Sequence, residues 1–245
     1  MNKRLHRLPI TKMIALFFLI VVLISCDLLF KATIRGSGII IDETRQLDFF
    51  HTVDMSIAAD LVFSLDAAQS FRIVGDDNIV AEIQTEVRGN TLEIFTDKNY
   101  KTDHGVQIYI SMQQIKGFSL SGSGTIQGLA SFVATNLTLN ISGSGSMDMD
   151  VTANQINSTI SGSGSIFLSG TINTHIIDIP GSGEMRALGL DTLVCEITIS
   201  GSGNCYVFVR DVLDVDISGS GNVYYTGTPA ITSRITGSGD IISLD

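Results

Sequence analysis

The chain has 245 residues, of which 44% are hydrophobic, with 24 Gly, 3 Pro, no Trp and a formal net charge of −10. That is enough chain for one sizeable core, and the composition is too apolar for a disordered protein. So acidic a body excludes nucleic acid or anionic lipid bound through the folded part, because both need cationic side chains set against phosphates.

The N-terminus reads as a targeting segment. Lys3, Arg4, Arg7 and Lys12 form a basic stretch, and Met13 to Ile24 is an apolar run of twelve. Twelve residues are too few for a transmembrane helix and suit the apolar stretch of a signal peptide. The run closes on Leu23-Ile24-Ser25-Cys26, which resembles the lipobox of bacterial lipoproteins. We therefore expect residues 1–25 to be a lipoprotein signal peptide, Cys26 the lipidated residue and residues 26–33 a short tether. Acyl chains on Cys26 would hold the protein to the membrane, each buried methylene contributing roughly 0.8 kcal/mol. Without residues 1–25 the balance is 11 basic against 25 acidic side chains, a net charge of −14. The expected location is the cell envelope, as an outer-membrane lipoprotein. Two further cysteines, Cys195 and Cys205, lie ten residues apart, which is weak support for a disulfide.

Residues 34–245 read as one domain. Between residues 38 and 122, alternating apolar positions predict strands at Thr52–Ile57, Asp60–Leu65, Phe71–Val74, Glu82–Val87, Thr91–Phe95 and Val106–Ile110. Gly89-Asn90 predicts a tight turn between two of them. Residues 97–105 predict a polar loop. We expect this part to be the irregular, capping portion of the architecture that follows it, since a repeat protein needs atypical ends.

From Gly122 onward the chain is a repeat. Gly-Ser-Gly starts at Gly122, Gly143, Gly162, Gly181, Gly201, Gly219 and Gly237, with steps of 18 to 21 residues, and an outlying copy starts at Gly36. Each copy is approached by period-two alternation, as in Leu137-x-Leu139-x-Ile141 and Leu213-x-Val215-x-Ile217. A second alternation follows each copy, its first inward position being Ile126, Met147, Ile166, Met185, Cys205, Val223 and Ile241. The unit is thus strand, corner, strand and return loop, and the fold it predicts is all-β: a single-stranded parallel β-solenoid with one coil per repeat. A propeller blade needs about twice this period. We expect positive φ at the paired glycines to turn the corner, and the stacked serines Ser123 to Ser238 to form a hydroxyl ladder.

The serial Ile-Ser-Gly-Ser-Gly units, together with Asp76-Asp77-Asn78-Ile79, the segment 86–94 and the segment 223–229, resemble the GIN-domain family of autotransporter adhesin heads. The resemblance covers residues 34–245. It implies a β-helical protein of the bacterial envelope and a role in adhesion, and it supplies no catalytic residues.

The search for chemistry yields one candidate surface. The first outward row after the corner reads Gln127, Asp148, Phe167, Arg186, Tyr206, Tyr224 and Ile242, and Phe208 lies two residues beyond Tyr206. Phe167, Tyr206, Phe208 and Tyr224 are the expected ligand-binding residues, because clustered exposed aromatics mark partner surfaces and stack well on sugar rings. Before the corner, Asp178, Glu196, Asp214 and Asp216 share a polar face; a weak divalent-cation or sugar-hydroxyl site is the alternative there to the favoured reading, a solvated sheet surface that prevents edge association. His175 and Cys195 occupy one inward row and predict a buried histidine beside an inert thiol, with Cys205 a small core hydrophobe. No catalytic, metal or cofactor set is expected. The sequence reading is a lipid-anchored binding or adhesion module with a glycan or protein ligand. The alternatives are a carbohydrate-active enzyme on the same scaffold, or a structural protein that self-associates through an open terminal coil at residues 231–245.

Overall fold

The computed structural model describes residues 33–245. The expected signal peptide, the expected lipidation of Cys26 and all but the last residue of the expected tether at 26–33 lie outside the described residues.

In chain order the elements are β1 (Thr33–Arg35), β2 (Ile40–Thr44), β3 (Thr52–Met55), β4 (Asp60–Leu65), β5 (Ser70–Asp76), helix α1 (Asp77–Val80), β6 (Gln84–Arg88), β7 (Thr91–Phe95), β8 (Asn99–Lys101) and β9 (Gln107–Met112). The repeat half follows with β10 (Gly117–Leu120), β11 (Thr125–Gly128), β12 (Phe132–Ile141), β13 (Ser146–Ile160), β14 (Ser165–Ile179), β15 (Glu184–Ile199), β16 (Asn204–Ile217), β17 (Val223–Thr226), β18 (Ala230–Ile235) and β19 (Ile241–Ser243). From β10 onward every pairing is parallel, and coils stack into a β-solenoid of about seven turns.

The registers agree with the sequence alignment. The inward row Ile126, Met147, Ile166, Met185, Cys205, Val223 and Ile241 is paired coil to coil without a slip. On the side approaching the corner, Ile160, Ile179, Ile199 and Ile217 are fully buried. Parallel strands buried along one side pack each aliphatic row against the next, and each such side chain contributes roughly 1.5–3 kcal/mol.

The corners differ from expectation in their cause. None of the glycines in the seven stacked corners has positive φ; the glycines that do are Gly38, Gly89, Gly105, Gly170 and Gly227. Glycine is required instead because the coils approach too closely for a side chain. A Cβ on Gly201 would lie 2.5 Å from the carbonyl oxygen of Pro180, and nearer still to that of Gly181. The second glycine of each later corner meets the coil below and a branched methyl, as Gly203 meets Ile179 Cγ2 at 2.5 Å. The expected hydroxyl ladder is also replaced. The ladder is backbone: the amides of Ser163, Ser182, Ser202, Ser220 and Ser238 donate to the carbonyls of Gly143, Gly162, Gly181, Gly201 and Gly219. The serine side chains face solvent.

The return is not a loop in the regular coils. β13 to β16 each run unbroken from one corner to the next, bending within the strand. Differences in repeat length are absorbed at that bend, where β15 bulges against both neighbours. At Gly170, φ of 113° and the nearness of the Val151 carbonyl admit only glycine.

The N-terminal part caps the solenoid, though it is built differently from a coil series. The β3–β4 turn is a true coil whose corner slots hold Ile57 and Ala59 where later coils have glycine. These side chains fit because the chain on their far side leaves the stack between β7 and β9. β7 and β9 pair parallel to β3 and β4 on that far side, so the β3–β4 coil sits between a later segment and β10–β11. The end is then closed by antiparallel strands: β6 on β7, and β5 on β9 with β2 outermost. Gly89 and Asn90, with φ of 57° and 65°, make the predicted tight turn between β6 and β7. Two expectations need correction here. Residues 77–83 form α1 and a turn, so the strand predicted from Glu82 begins at Gln84. The predicted polar loop 97–105 contains β8, which pairs with β1.

Candidate functional site

Exit strands from four successive coils align the outward row Phe167, Arg186, Tyr206 and Tyr224 in direct register. The alternation that buries Ile166, Met185, Cys205 and Val223 necessarily turns these residues to solvent. At the inter-strand spacing their flat groups meet face to face. Tyr206 and Tyr224 stack with centroids 4.6 Å apart and planes 8° from parallel. The Arg186 guanidinium lies 5.4 Å from the Tyr206 ring and 5.9 Å from the Phe167 ring. Glu184 holds it through Nε at 2.9 Å, an ion pair that raises the arginine pKa. Burial, followed by the Glu184 charge, raises the Tyr206 phenol pKa.

The four groups thus form one continuous aromatic and cationic ladder. Its ring faces are largely turned on each other. The surface presented outward consists of ring edges, the phenol hydroxyls, the guanidinium and the free side of Phe167, which is 38% exposed. Phe208 stands apart. The shorter return of β16 pairs it with Asp191 and Thr226, and its ring edge lies over Gly227. Sequence reasoning placed Arg186 in this row without naming it as a site residue. Its position between two aromatics of adjacent repeats was the available signal.

On the approach face, the rows containing Asp178, Glu196, Asp214 and Asp216 are in the predicted register. Asp216 pairs with Arg234 at 3.1 Å. The same face carries a carboxyl that sequence reasoning missed. Asp54 is half-buried beside a shallow groove of about 270 Å³ with Ser119, Asn140 and Thr159, and its pKa is raised by burial and then by the neighbouring Glu93. Glu93 pairs with Arg88 at 3.2 Å. Among the described residues no three His, Cys, Asp or Glu side chains form a group able to hold a metal.

Inside the coils, His175 and Cys195 are cross-strand partners and fully buried. Ser158 Oγ lies 3.0 Å from His175 Nε2, and His175 Nδ1 has no partner. Burial pushes the imidazole pKa down to about 3 and both thiol pKa values up, so this is a neutral interior with two free cysteines.

The outlying Gly-Ser-Gly at residues 36–38 serves the cap. Thr102 Oγ1 donates to Asp76 Oδ2 at 2.5 Å and the Gly38 amide donates to Oδ1 at 2.6 Å, which lowers the pKa of this buried carboxyl. A cavity of about 710 Å³ opens beside it, lined by Arg35, Tyr100, Lys101 and His104.

Residues 49–229 match the family described as "Putative auto-transporter adhesin, head GIN domain". The chain belongs to this family. No curated protein matches this GIN-domain chain. Among solved structures, a protein of Bacteroides fragilis described as a putative adhesin is 26% identical, with a TM-score of 0.81 over 86% of this chain and all of the other. Two more share the fold. One from Parabacteroides distasonis, described as a putative lipid binding protein, is 22% identical with a TM-score of 0.73, over 87% of this chain and all of its own. The other, described as a putative adhesin from Parabacteroides merdae, is 20% identical with a TM-score of 0.70 over the same shares.

Proposed function

We propose that this GIN-domain protein is a lipid-anchored, non-catalytic binding module of the bacterial cell envelope. Its contact surface is the exit face around Phe167, Arg186, Tyr206 and Tyr224, and its ligand is a glycan. The observation that carries this reading is the in-register ladder, which sets aromatic and cationic groups on a rigid, flat sheet. Family membership and the adhesin description of the Bacteroides fragilis relative support adhesion as the role. Because the ring faces are mutually stacked, sugar hydroxyls would pair with the two phenols and the guanidinium, and apolar sugar faces would lie on ring edges and on Phe167.

The test is a glycan array and polysaccharide pull-down with protein starting at Asp27, which keeps every described residue, followed by product analysis of each hit. Binding without cleavage is expected, and Tyr206→Ala with Tyr224→Ala should weaken it by about tenfold, roughly 1.4 kcal/mol, while the melting transition stays cooperative. Cleaved product would promote the enzyme reading. Undiminished affinity in the double variant would remove the ladder from the contact surface.

A further inference from the structure

The two ends of the solenoid are finished unequally. At the N-terminal end the core is closed: Phe71, Ile79, Val80 and Ile83 are buried under the cap. The outermost strands β2 and β6 carry charged pairs, Arg72 with Asp42 and Arg88 with Glu86, which discourage further strand addition. At the other end β18 pairs only with β16 and β19 only with β17 among the described residues. Ile231 and Ile235 belong to the inward row yet are each 41% exposed, whereas Leu213 and Ile217, their partners one coil below, are fully buried.

The open strand also presents unpaired backbone. The Thr236 amide donates to the Ile217 carbonyl across β16, and parallel pairing alternates. Thr232 and Arg234 therefore point their amides at β16. Ile231, Ser233 and Ile235 point theirs, with their carbonyls, away from the stack.

We propose that this C-terminal coil is a self-association edge, joined antiparallel by the same coil of a second copy. The edge is complementary to itself. Antiparallel pairing about Ser233 sets Ile231 opposite Ile235 and Thr232 opposite Arg234, so the apolar inward residues cover each other and no like charges face across the pair. Arg234 keeps its ion pair with Asp216 in its own copy. Because the N-terminal end is closed, the open coil has no complementary surface of the other kind among the described residues. The contact is therefore two-fold and stops at two copies rather than growing into a fibre.

Sedimentation velocity on the full chain in detergent, over a wide concentration range, tests this. The mass should shift from one copy to two as concentration rises. Ser233→Pro removes only an outward amide, and Ile231→Lys places a charge on the exposed edge. Both variants should keep the wild-type circular dichroism spectrum and a cooperative melting transition, and both should sediment as a single copy throughout. A wild-type chain that stays monomeric at every concentration overturns the proposal. So does a dimer that survives both substitutions, or assembly beyond two copies.

Discussion

The corner glycines show how one atom decides a position. At Gly201 an added Cβ would meet backbone carbonyls of the coil below, and backbone stacked at the sheet spacing cannot move aside. Gly201→Ala should cost about 2–3 kcal/mol in urea unfolding, near the upper end for overpacking, whereas Ser202→Ala, at a solvent-facing position, should stay within about 0.5 kcal/mol. Equal effects would show that the corner is fixed by turn preference and not by close approach. His175 gives a second effect at this scale. Its folded pKa of about 3 lies below the unfolded value near 6.5, so between these values the unfolded chain binds the extra proton. Stability is complete above pH 6.5 and is lost as pH falls toward 3. The urea-derived stability should drop by about 2 kcal/mol from pH 7.5 to 5 on account of this residue, and His175→Leu should flatten that part of the profile.

Strands in this protein are specified by period and placed by stacking, and the two kinds of information are not equally visible. From β12 to β17 the repeat alone aligns the inward and outward rows, because each corner fixes the register of its flanking strands. The ladder row including Arg186 was legible for the same reason, though the mutual stacking of its faces was not, since ring orientation depends on neighbours in space. The register makes a direct prediction. Ile160→Asp or Ile217→Asp buries an unpaired carboxylate in a closed row and should cost more than about 4 kcal/mol, enough to abolish cooperative unfolding in a domain of ordinary stability. Thr159→Ala on the outward row should change the unfolding midpoint little. Elements without a repeat were read less well. The four residues of α1 are too few for a helical period, β8 has only a three-residue pairing to announce it, and the Gly-Ser-Gly at 36–38 carries the corner motif while binding Asp76.

At the scale of the molecule, the solenoid is asymmetric along its axis: charged antiparallel strands close one end and an uncovered coil forms the other. The ladder runs along the exit face and ends beside this uncovered coil, Ile242 being the next residue of its row. Two copies joined at that coil would carry two ladders on one longer body.

The placement of the β3–β4 coil between β7–β9 and β10–β11 also constrains how the protein can be made. Both of its edges are completed by residues that come later in the chain, one by 91–112 and the other by 117–128. A chain delivered from its N-terminus therefore cannot wind up turn by turn from the beginning. Its earliest coil stays open on one side until residues 91–112 have arrived and on the other until residues 117–128 have, so the stack starts from the inside.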